Sequence, residues 1–348
     1  MDVLTIAPWG ARRHFYAQPI RQVGCRIRPI LPLFHFRGLP KPLRLPALAA
    51  QKAYRSLILP KLLAKYDLLA IVHLDYLTDV EFMLPRDSAL VVHLMTHMCQ
   101  YDYDYYSKWP RNRRSLLICM DSNQANEATA GLGHLIIDKA IIPLPIDSSM
   151  FEPISSWPDP RRLVIGCFMR IERDRHPLPV LRAFALLARK VDAELRFYGR
   201  GDASYLRAET IRLGIARRVK FPGHVADIRR TVIEDGITFA WSTANDVCFG
   251  YAGIELALLG VPTYFYNLVT TNSAESIYRA TDGAVHSYSS EAELAEATSA
   301  AWQCPDRMDD DAHRLRAFVQ KHNDSNHVVR QIEAFYARII DGHARAGL

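Results

Sequence analysis

The sequence predicts an α/β protein made of two doubly wound domains, each a largely parallel sheet covered by helices on both faces. Its 348 residues suffice for two ordinary domains. Apolar residues make up 49% of the chain, so a well-buried core is available. Short apolar runs alternate with longer amphipathic stretches along the chain, which is typical of βαβ units.

The predicted strands are mostly continuous apolar runs, as expected for parallel strands buried on both faces. They span residues 3–8, 67–74, 89–95, 115–121, 140–145, 163–169, 193–199, 219–223, 237–243 and 261–266. The predicted helices carry ordinary start and stop signals, such as an early proline, a closing glycine or a preceding serine. They span residues 177–190, 203–214, 291–303 and 312–340.

A stretch rich in proline, serine and aspartate, residues 145–162, predicts a linker between the two domains. We assign residues 1–148 to the first domain and 162–325 to the second. Residues 326–348 are expected to form a helix that packs back on the first domain. Ligands of open α/β sheets bind beyond the carboxyl ends of the strands, so two such sheets that face each other predict a site in the cleft between them.

The positive charge is concentrated near the amino terminus. The formal net charge is +6, yet no acidic residue lies between Asp2 and Asp67, and that window holds twelve Lys and Arg residues among many Leu, Ile, Phe and Pro residues. A basic and apolar segment suits an anionic bilayer surface. A solvated basic face and a patch for another polyanion are the alternatives. Nucleic acid is disfavoured as a partner because no nucleic-acid-binding motif accompanies the charge.

The six cysteines are scattered and form no CxxC pair, so neither a zinc site nor a disulfide framework is predicted. A reducing, cytoplasmic setting fits this usage. The amino terminus reads as a strand and a turn rather than as a secretory signal. No apolar run approaches the ~20 residues that a membrane-spanning helix needs.

The stretch FGYAGIELALLGVP, residues 249–262, places one carboxylate, Glu255, in an apolar helix. A buried charge is unfavourable unless something pairs with it, so Glu255 is either a satisfied or solvent-facing structural group or a ligand-binding one. The helix begins near Gly250, and free N–H groups at a helix N-terminus suit a phosphate. The ligand-binding interpretation is that Glu255 accepts hydrogen bonds from ribose hydroxyls beside that phosphate.

FGYAGIELALLGVP resembles the FG…LEA…G-P segment of the retaining glycosyltransferases of family 4. VIGCFMRIERDRHPLPVLRAF (164–184), ELRFYGRGD (194–202) and GIARRVKFPGHV (214–225) resemble their strand–basic loop–helix, G-x-G and V-x-F-x-G-x-V segments in the same order. MDSNQANEATAGLGH and DKAIIPLPIDSSMF, within 120–151, resemble the end of their first domain. The resemblance covers residues 115–270. It implies the GT-B fold, two doubly wound Rossmann-like domains facing across a cleft.

The resemblance also implies roles for individual residues. In the second domain, Glu255 would bind the ribose of a UDP- or GDP-sugar donor. Arg170 and Arg175, with the amides of Phe249, Gly250 and Tyr251, would bind its diphosphate. The G-x-G glycine Gly199 belongs to the donor site, and the loop of Gly223, His224 and Val225 would lie near the base. In the first domain, His97, with His93 as second choice, would lie near the donor sugar and acceptor, and Gly10 would let a loop approach them closely.

Two departures from the family pattern affect the implied site. Val247 stands where the family has a second glutamate, and Asp246 beside it is the candidate replacement. Arg175 occupies the place of the family's lysine. Cys167 occupies the place of its arginine, so that Arg170 or Arg173 would supply the second positive charge.

The remaining features yield no firm assignment. The tyrosine-rich stretch 101–107 either lines a sugar or acceptor channel or forms a surface loop. The acidic run DDDAH, residues 309–313, is interpreted as a helix start rather than a metal site.

The sequence therefore predicts a glycosyltransferase that moves a sugar, with retention, from a nucleoside-diphosphate sugar to a lipid-linked or glycan acceptor. Neither a cofactor nor a metal is expected, and an anionic membrane surface is the expected partner. The expected location is cytoplasmic, peripheral at the inner face of the cell membrane. The alternatives are a sugar-nucleotide epimerase or phosphorylase of the same fold, and a non-catalytic binding protein, which Val247 favours.

Overall fold

The computed structural model describes residues 2–5, 26–29, 57–72, 89–94, 115–154, 162–244, 250–268 and 281–346, together with the single residues 42, 46, 49, 50, 53 and 277. The chain divides into two compact units, Met1–His93 with Ile339–Leu348, and Leu94–Arg338. The sequence-based domain boundaries at 148 and 162 remain a prediction.

Most of the described strands match predicted apolar runs, whereas residues 26–29 and 287–288 were not predicted as strands. The described strands are β1 Asp2–Thr5, β2 Arg26–Pro29, β3 Leu68–Val72, β4 Ala89–His93, β5 Ser115–Cys119, β6 Ile136–Ile141, β7 Leu163–Phe168, β8 Ala193–Tyr198, β9 Val219–Gly223, β10 Phe239–Ala244, β11 Thr263–Asn267 and β12 Ser287–Tyr288.

The described helices lie between these strands and after the last of them. They are α1 Leu59–Leu63, α2 Ser122–Leu132, α3 Pro177–Leu187, α4 Ser204–Arg212, α5 Ile228–Glu234, α6 Gly250–Leu258, α7 Glu291–Trp302, α8 Pro305–His322 and α9 Ser325–Ala346. None of the helices in the described part of the chain is long and apolar enough to cross a membrane.

The second half of the chain forms a six-stranded parallel sheet with the strand order β12-β11-β10-β7-β8-β9. Chain progression runs outward from β7 on one side and from β10 on the other, so the strand order reverses between these two neighbours. The inner strands β7, β8, β10 and β11 are almost wholly buried because helices cover both faces. A topological switch point of this kind is where doubly wound sheets bind ligands.

The first half contributes parallel strand pairs as well. β1 pairs with β2, β3 pairs with β4, and β5 pairs with β6, each in parallel register. α2 begins directly after β5, where Asp121 accepts a hydrogen bond from the N–H of Gln124 and the side-chain oxygen of Gln124 accepts one from the N–H of Met120. The first bond satisfies one of the donors that a helix start leaves without a partner, and the second satisfies the N–H of the residue before the cap.

Two predicted element boundaries are wrong. The run at 140–145 is not a strand, because prolines at 143 and 145 cannot donate to a ladder; β6 instead covers 136–141. The predicted helix 312–340 is two helices separated at Asn323 and Asp324. The Asn323 amide donates to the carbonyl of Leu144, and Asp324 accepts from the N–H of His327, so both side chains favour a break there.

Candidate functional site

The carboxyl ends of β7, β8 and β9 are joined by backbone hydrogen bonds. The Met169 N–H donates to the Tyr198 carbonyl at 2.9 Å, and the Gly199 N–H donates to the Gly223 carbonyl at 2.9 Å. Past the ladder, the Ile171 N–H donates to the Arg200 carbonyl at 2.7 Å. The three segments that follow these strands therefore form one connected edge of the sheet.

Gly199 is required by this close packing. A Cβ atom at Gly199 would overlap the Met169 carbonyl oxygen. Packing alone therefore explains why this position of the G-x-G motif is a glycine, whether or not a ligand binds.

The arginine loop, residues 169–176, lies at this edge and reaches the switch point. The Thr243 hydroxyl at the end of β10 donates to the Arg175 carbonyl at 3.2 Å. This bond holds the loop that follows β7 against β10, the strand that precedes α6 in the chain. Arg175 is half-buried.

The other arginines of the loop are held by neighbours. The Arg170 guanidinium lies 2.6 Å from the Glu172 carboxylate, and both side chains are substantially exposed. The Arg173 guanidinium stacks over the Tyr205 ring, 5.4 Å from its centroid. Exposed ion pairs of this kind are weak, so Arg170 can exchange Glu172 for another anion with little loss of free energy.

Cys167 belongs to the core rather than to the loop. It is fully buried in β7, and burial raises the pKa of its thiol, so it stays uncharged. The position that the sequence resemblance equates with an arginine is therefore closed to ligands in this chain.

Gly250 opens α6 with a φ of 68°, a left-handed conformation that favours glycine. No atom of the described residues lies within 4 Å of the place that a Cβ would take there. The helix has nine residues, and the N–H groups of a helix's first turn have no intrahelical acceptors, which suits an anion. Tyr251, the second helical residue, has 44% of its surface exposed.

Glu255 is half-buried, and its neighbours in α6 are apolar: Ile254, Leu256 and Leu258 are almost completely inaccessible. Within the described residues its carboxylate makes no hydrogen bond and no ion pair. Burial raises the pKa of this carboxyl above its usual range, and the negative charge of Asp227 raises it further. A carboxylate held by hydrogen bonds or by a cation would show the opposite shift of its pKa.

Asp227 is a site neighbour that the sequence reasoning missed. It caps α5, since its carboxylate accepts from the N–H of Arg230 at 2.9 Å. The signal was present as an aspartate directly before a short helical stretch. Between β9 and this cap, His224 is exposed and Val225 packs against an apolar cluster that includes residues of α6. The loop of Gly223, His224 and Val225 therefore leads to the flank of the helix that carries Glu255.

In the first half of the chain, His93 ends β4 and is half-buried. Burial lowers the pKa of its imidazole to about 4, so it is neutral at pH 7. Several predicted site residues lie outside the described residues: Gly10, His97, Asp246 and Phe249, as do Val247 and the tyrosine-rich stretch 101–107.

The acidic run DDDAH lies inside α8, which begins at Pro305, so its interpretation as a helix start is wrong. Asp311 is buried, where it accepts a hydrogen bond from the Tyr264 hydroxyl at 2.6 Å and lies 3.0 Å from the His286 Nε2. These contacts join α8 to β11 and to the segment leading into β12, so Asp311 has a structural role.

Comparisons with known proteins agree with this architecture. Neither a protein-family model nor a curated protein sequence matches the chain. Among solved structures, HepE of Anabaena in complex with UDP and glucose is similar with a TM-score of 0.65 and 17% identity, over 97% of this chain and 91% of HepE. A glycosyltransferase from Rickettsia africae ESF-5 gives a TM-score of 0.64 at 12% identity, over 97% and 90% of the two chains. Sucrose-phosphate synthase from Thermosynechococcus elongatus gives 0.61 at 15% identity, over 91% and 84%.

These similarities show the fold class. The chain has the GT-B fold of glycosyltransferases, an α/β architecture of Rossmann-like halves with parallel sheets, which confirms the fold predicted from the sequence.

Proposed function

We propose that the chain is a glycosyltransferase that uses a nucleoside-diphosphate sugar as its donor. The observation that carries the proposal is the Glu255 carboxylate, half-buried in an apolar helix without a partner among the described residues. Ribose hydroxyls would supply the missing hydrogen bonds. Support comes from the neighbours of similar fold, since HepE has been crystallised with UDP-glucose.

The diphosphate would lie at the switch point, between the arginine loop and the first turn of α6. Arg175, with Arg170 or Arg173, would supply the fixed positive charges, and the amides of Phe249, Gly250 and Tyr251 would supply hydrogen bonds. In glycosyl transfer, negative charge grows on the departing diphosphate as the bond to the sugar breaks. Groups aimed at that charge stabilise the transition state more than the ground state. This scheme needs no metal and no cofactor.

The roles of the first half remain sequence-based proposals. His97, or His93 in its place, would lie near the donor sugar and the acceptor, and Gly10 would allow a close backbone approach. Asp246 would take the place of the missing family glutamate. Retention of anomeric configuration, a lipid-linked or glycan acceptor, and a location at the cytoplasmic face of the cell membrane complete the proposal.

The test is nucleotide binding by calorimetry with UDP, GDP and their sugars, for the wild type and the Glu255→Gln variant. A hydrogen bond to a charged group contributes about 1.5–3 kcal/mol, so the variant should bind the preferred nucleotide at least about tenfold more weakly. Glu296→Gln is the matched control, because Glu296 is an exposed glutamate on α7 that pairs only with Lys190 among the described residues. Equal affinity of wild type and Glu255→Gln would contradict the proposal.

Val247 favours a second candidate, a binding protein of the same fold without catalysis. The two are separated by turnover: release of nucleotide from a sugar nucleotide in the presence of an acceptor panel supports the transferase. Tight binding without any turnover would instead favour the second candidate. Interconversion of the sugar without an acceptor would indicate an epimerase.

A further inference from the structure

The last turn of α6 lies in the core, so its backbone carbonyls depend on hydrogen-bond donors from the protein itself. Residues 256–259 are almost completely buried. The chain at the helix end supplies three N–H donors at 3.0 Å, two of them in the pattern of a Schellman motif: Leu259 to the carbonyl of Glu255, Gly260 to that of Ala257 and Val261 to that of Leu256. The carbonyl of Leu258 takes its donor from another helix.

Arg316 of α8 supplies that donor. Its Nη1 donates to the Leu258 carbonyl at 2.7 Å, and its Nη2 lies 3.5 Å from the Phe151 carbonyl oxygen. The side chain is half-buried, and among the described residues both of its hydrogen bonds go to backbone carbonyls. A positive charge at the carboxyl end of a helix is also favoured by the helix dipole. The guanidinium of Arg316 therefore fixes the place where α6 ends.

The chain that leads to β7 lies against the same helix end. The Ile154 N–H donates to the Leu259 carbonyl at 3.0 Å, and Ile154 is buried in an apolar cluster that includes Leu259. Phe151 packs against this cluster as well. Arg316 thus contacts both the end of α6 and the segment packed on it, which makes the carboxyl end of α6 the more firmly bonded part of the helix.

The candidate donor group lies on the same helix. Glu255 precedes Leu258 by three residues, which is about 4.5 Å along the helix axis at about 1.5 Å per residue. The Glu255 carboxylate has no partner among the described residues that would hold it in place. Apolar contacts of the helix are non-directional, whereas the hydrogen bonds at its carboxyl end are directional. The position of the carboxylate therefore depends on how that end is held.

We propose that Arg316 is a positioning residue of the donor site, which holds the Leu258 carbonyl so that the Glu255 carboxylate meets the ribose hydroxyls of the bound nucleotide. The inference rests on the proposed function, since it presupposes that Glu255 binds the nucleotide. Without the guanidinium, the buried carbonyl of Leu258 loses its donor, and the helix end shifts to find another. Arg316 acts without touching the nucleotide.

The experiment is calorimetric titration of the full chain with UDP and with GDP, well below the unfolding temperature. Arg316→Gln removes the charge and the reach of the guanidinium, and it should bind the preferred nucleotide about fivefold more weakly than the wild type. Arg316→Lys keeps the charge and a donor for the Leu258 carbonyl. It should restore the affinity to within about twofold of the wild type.

A double-mutant cycle tests whether Arg316 acts through Glu255. In a chain that already carries Glu255→Gln, the further change Arg316→Gln should weaken binding by less than about twofold, because the group that it positions is gone. An Arg316 that only stabilises the fold would not show this dependence on Glu255.

Two control variants are matched to Arg316→Gln. Arg314→Gln removes an exposed arginine of the same helix, which pairs with Asp310 at 2.8 Å, and its affinity should stay within about twofold of the wild type. Tyr264→Phe controls for lost stability, because the Tyr264 hydroxyl bonds Asp311 on α8 at 2.6 Å. It should lower the unfolding temperature and leave the affinity for the nucleotide unchanged.

Wild-type affinity in Arg316→Gln overturns the inference, as does an equal loss in the presence and absence of Glu255→Gln. Both outcomes leave the proposed function standing, provided that Glu255→Gln itself weakens binding. A wild type that binds neither nucleotide, or an unchanged affinity in Glu255→Gln, contradicts the proposed function and the inference together.

Hydrogen exchange of the wild type decides the case in which Arg316→Gln does not fold. Coupling between two sites is reciprocal, so the nucleotide should slow exchange of the N–H groups of residues 259–261 more than of those in α7, which carries no predicted site residue. Equal slowing in the two segments would overturn the inference.

Discussion

At the scale of single residues, the candidate site contains a carboxylate, that of Glu255, which makes no hydrogen bond or ion pair within the described residues. Glu255 is surrounded by apolar neighbours and faces the charge of Asp227, and both raise its pKa. If Glu255 served folding alone, its replacement would make the protein more stable. Because the carboxylate destabilises the unliganded protein, we expect a ligand to bind there.

The first prediction concerns stability and pH. Because the folded state holds the Glu255 proton more tightly than the unfolded chain does, the free energy of unfolding falls as pH rises from the ordinary glutamate pKa through the raised one. Glu255→Gln should therefore be more stable than the wild type at pH 7, by less than about 1 kcal/mol, because the partly exposed group is screened by water.

Urea denaturation at pH 4 and pH 7 measures this effect. The advantage of the variant should shrink at the lower pH, where Glu255 is protonated in both states. A variant less stable than the wild type at pH 7 would show that the carboxylate has a stabilising partner.

The second prediction concerns the buried Tyr264–Asp311–His286 chain. Burial alone would raise the pKa of Asp311, but hydrogen bonds from His286 and Tyr264 and the charges of His286 and Arg307 bring it below its usual range. Stability from Asp311 is thus present above the ordinary aspartate pKa and lost as pH falls through the lowered one. Tyr264→Phe should lower the free energy of unfolding by about 1–2 kcal/mol at pH 7.

The same denaturation series on acidification checks the mechanism. The difference in the free energy of unfolding between the wild type and Tyr264→Phe should become smaller once Asp311 is protonated. If this difference in the free energy of unfolding stays constant with pH, the loss of stability in Tyr264→Phe comes from packing alone.

At the scale of elements, the arginine loop is positioned by backbone contacts rather than by its own side chains. The carbonyl oxygen of Met169 occupies the space that a side chain at Gly199 would need. The position of the positive charges therefore depends on the glycine of the next strand.

The third prediction follows from that packing. Gly199→Ala places a Cβ against the Met169 carbonyl, so it should destabilise the protein by about 2–4 kcal/mol and weaken nucleotide binding. Gly133→Ala is the control, because Gly133 has a helical φ of −50° and nothing lies within 4 Å of its Cβ position. Its stability should stay the same or rise slightly. A fully stable Gly199→Ala with wild-type affinity would contradict the packing argument.

At the scale of the whole molecule, the segments of the last two helices, α8 and α9, contact residues that are distant from them along the chain. The Ile146 N–H donates to the Asn323 carbonyl at 2.8 Å, and Arg338 on α9 pairs with Asp138 on β6 at 2.9 Å. Phe335 on the same helix is buried, whereas Ile340 is 42% exposed.

The fourth prediction tests whether α9 stabilises the protein through its buried side chain Phe335. Phe335→Ala should cost about 3–5 kcal/mol, because a large buried side chain leaves a cavity. Ile340→Ala, a truncation of similar kind on the exposed side of α9, should change stability by less than about 1 kcal/mol. Chemical denaturation of both variants provides the comparison, and equal losses would show that α9 does not close the core through Phe335.

The sequence predicted the fold well where burial dominates. Strands covered on both faces are continuous apolar runs, and β7 and β8, predicted over 163–169 and 193–199, are observed over 163–168 and 193–198. β6 was displaced because it is partly exposed and carries Asp138 and Lys139 in its middle. α5, with its polar sequence IRRTVIE, was missed for the same reason.

Arg175 and Glu255 were selected from the sequence because their segments follow strands β7 and β10, and their roles at the candidate site stay predictions. Thr243, Tyr205 and Asp227 were not found, because each acts on a residue that is distant along the chain. Such contacts depend on the packing of several elements and leave no local pattern.

The shared edge of β7, β8 and β9 also limits how this protein can diversify. A residue inserted between Met169 and Ile171 would disturb the main-chain bonds to Tyr198 and Arg200, whereas the turn at 188–191 would accept one. New donor preferences should therefore arise by exchanging side chains on a backbone of constant length, and loop-length variants selected for altered sugar use should carry their insertions elsewhere.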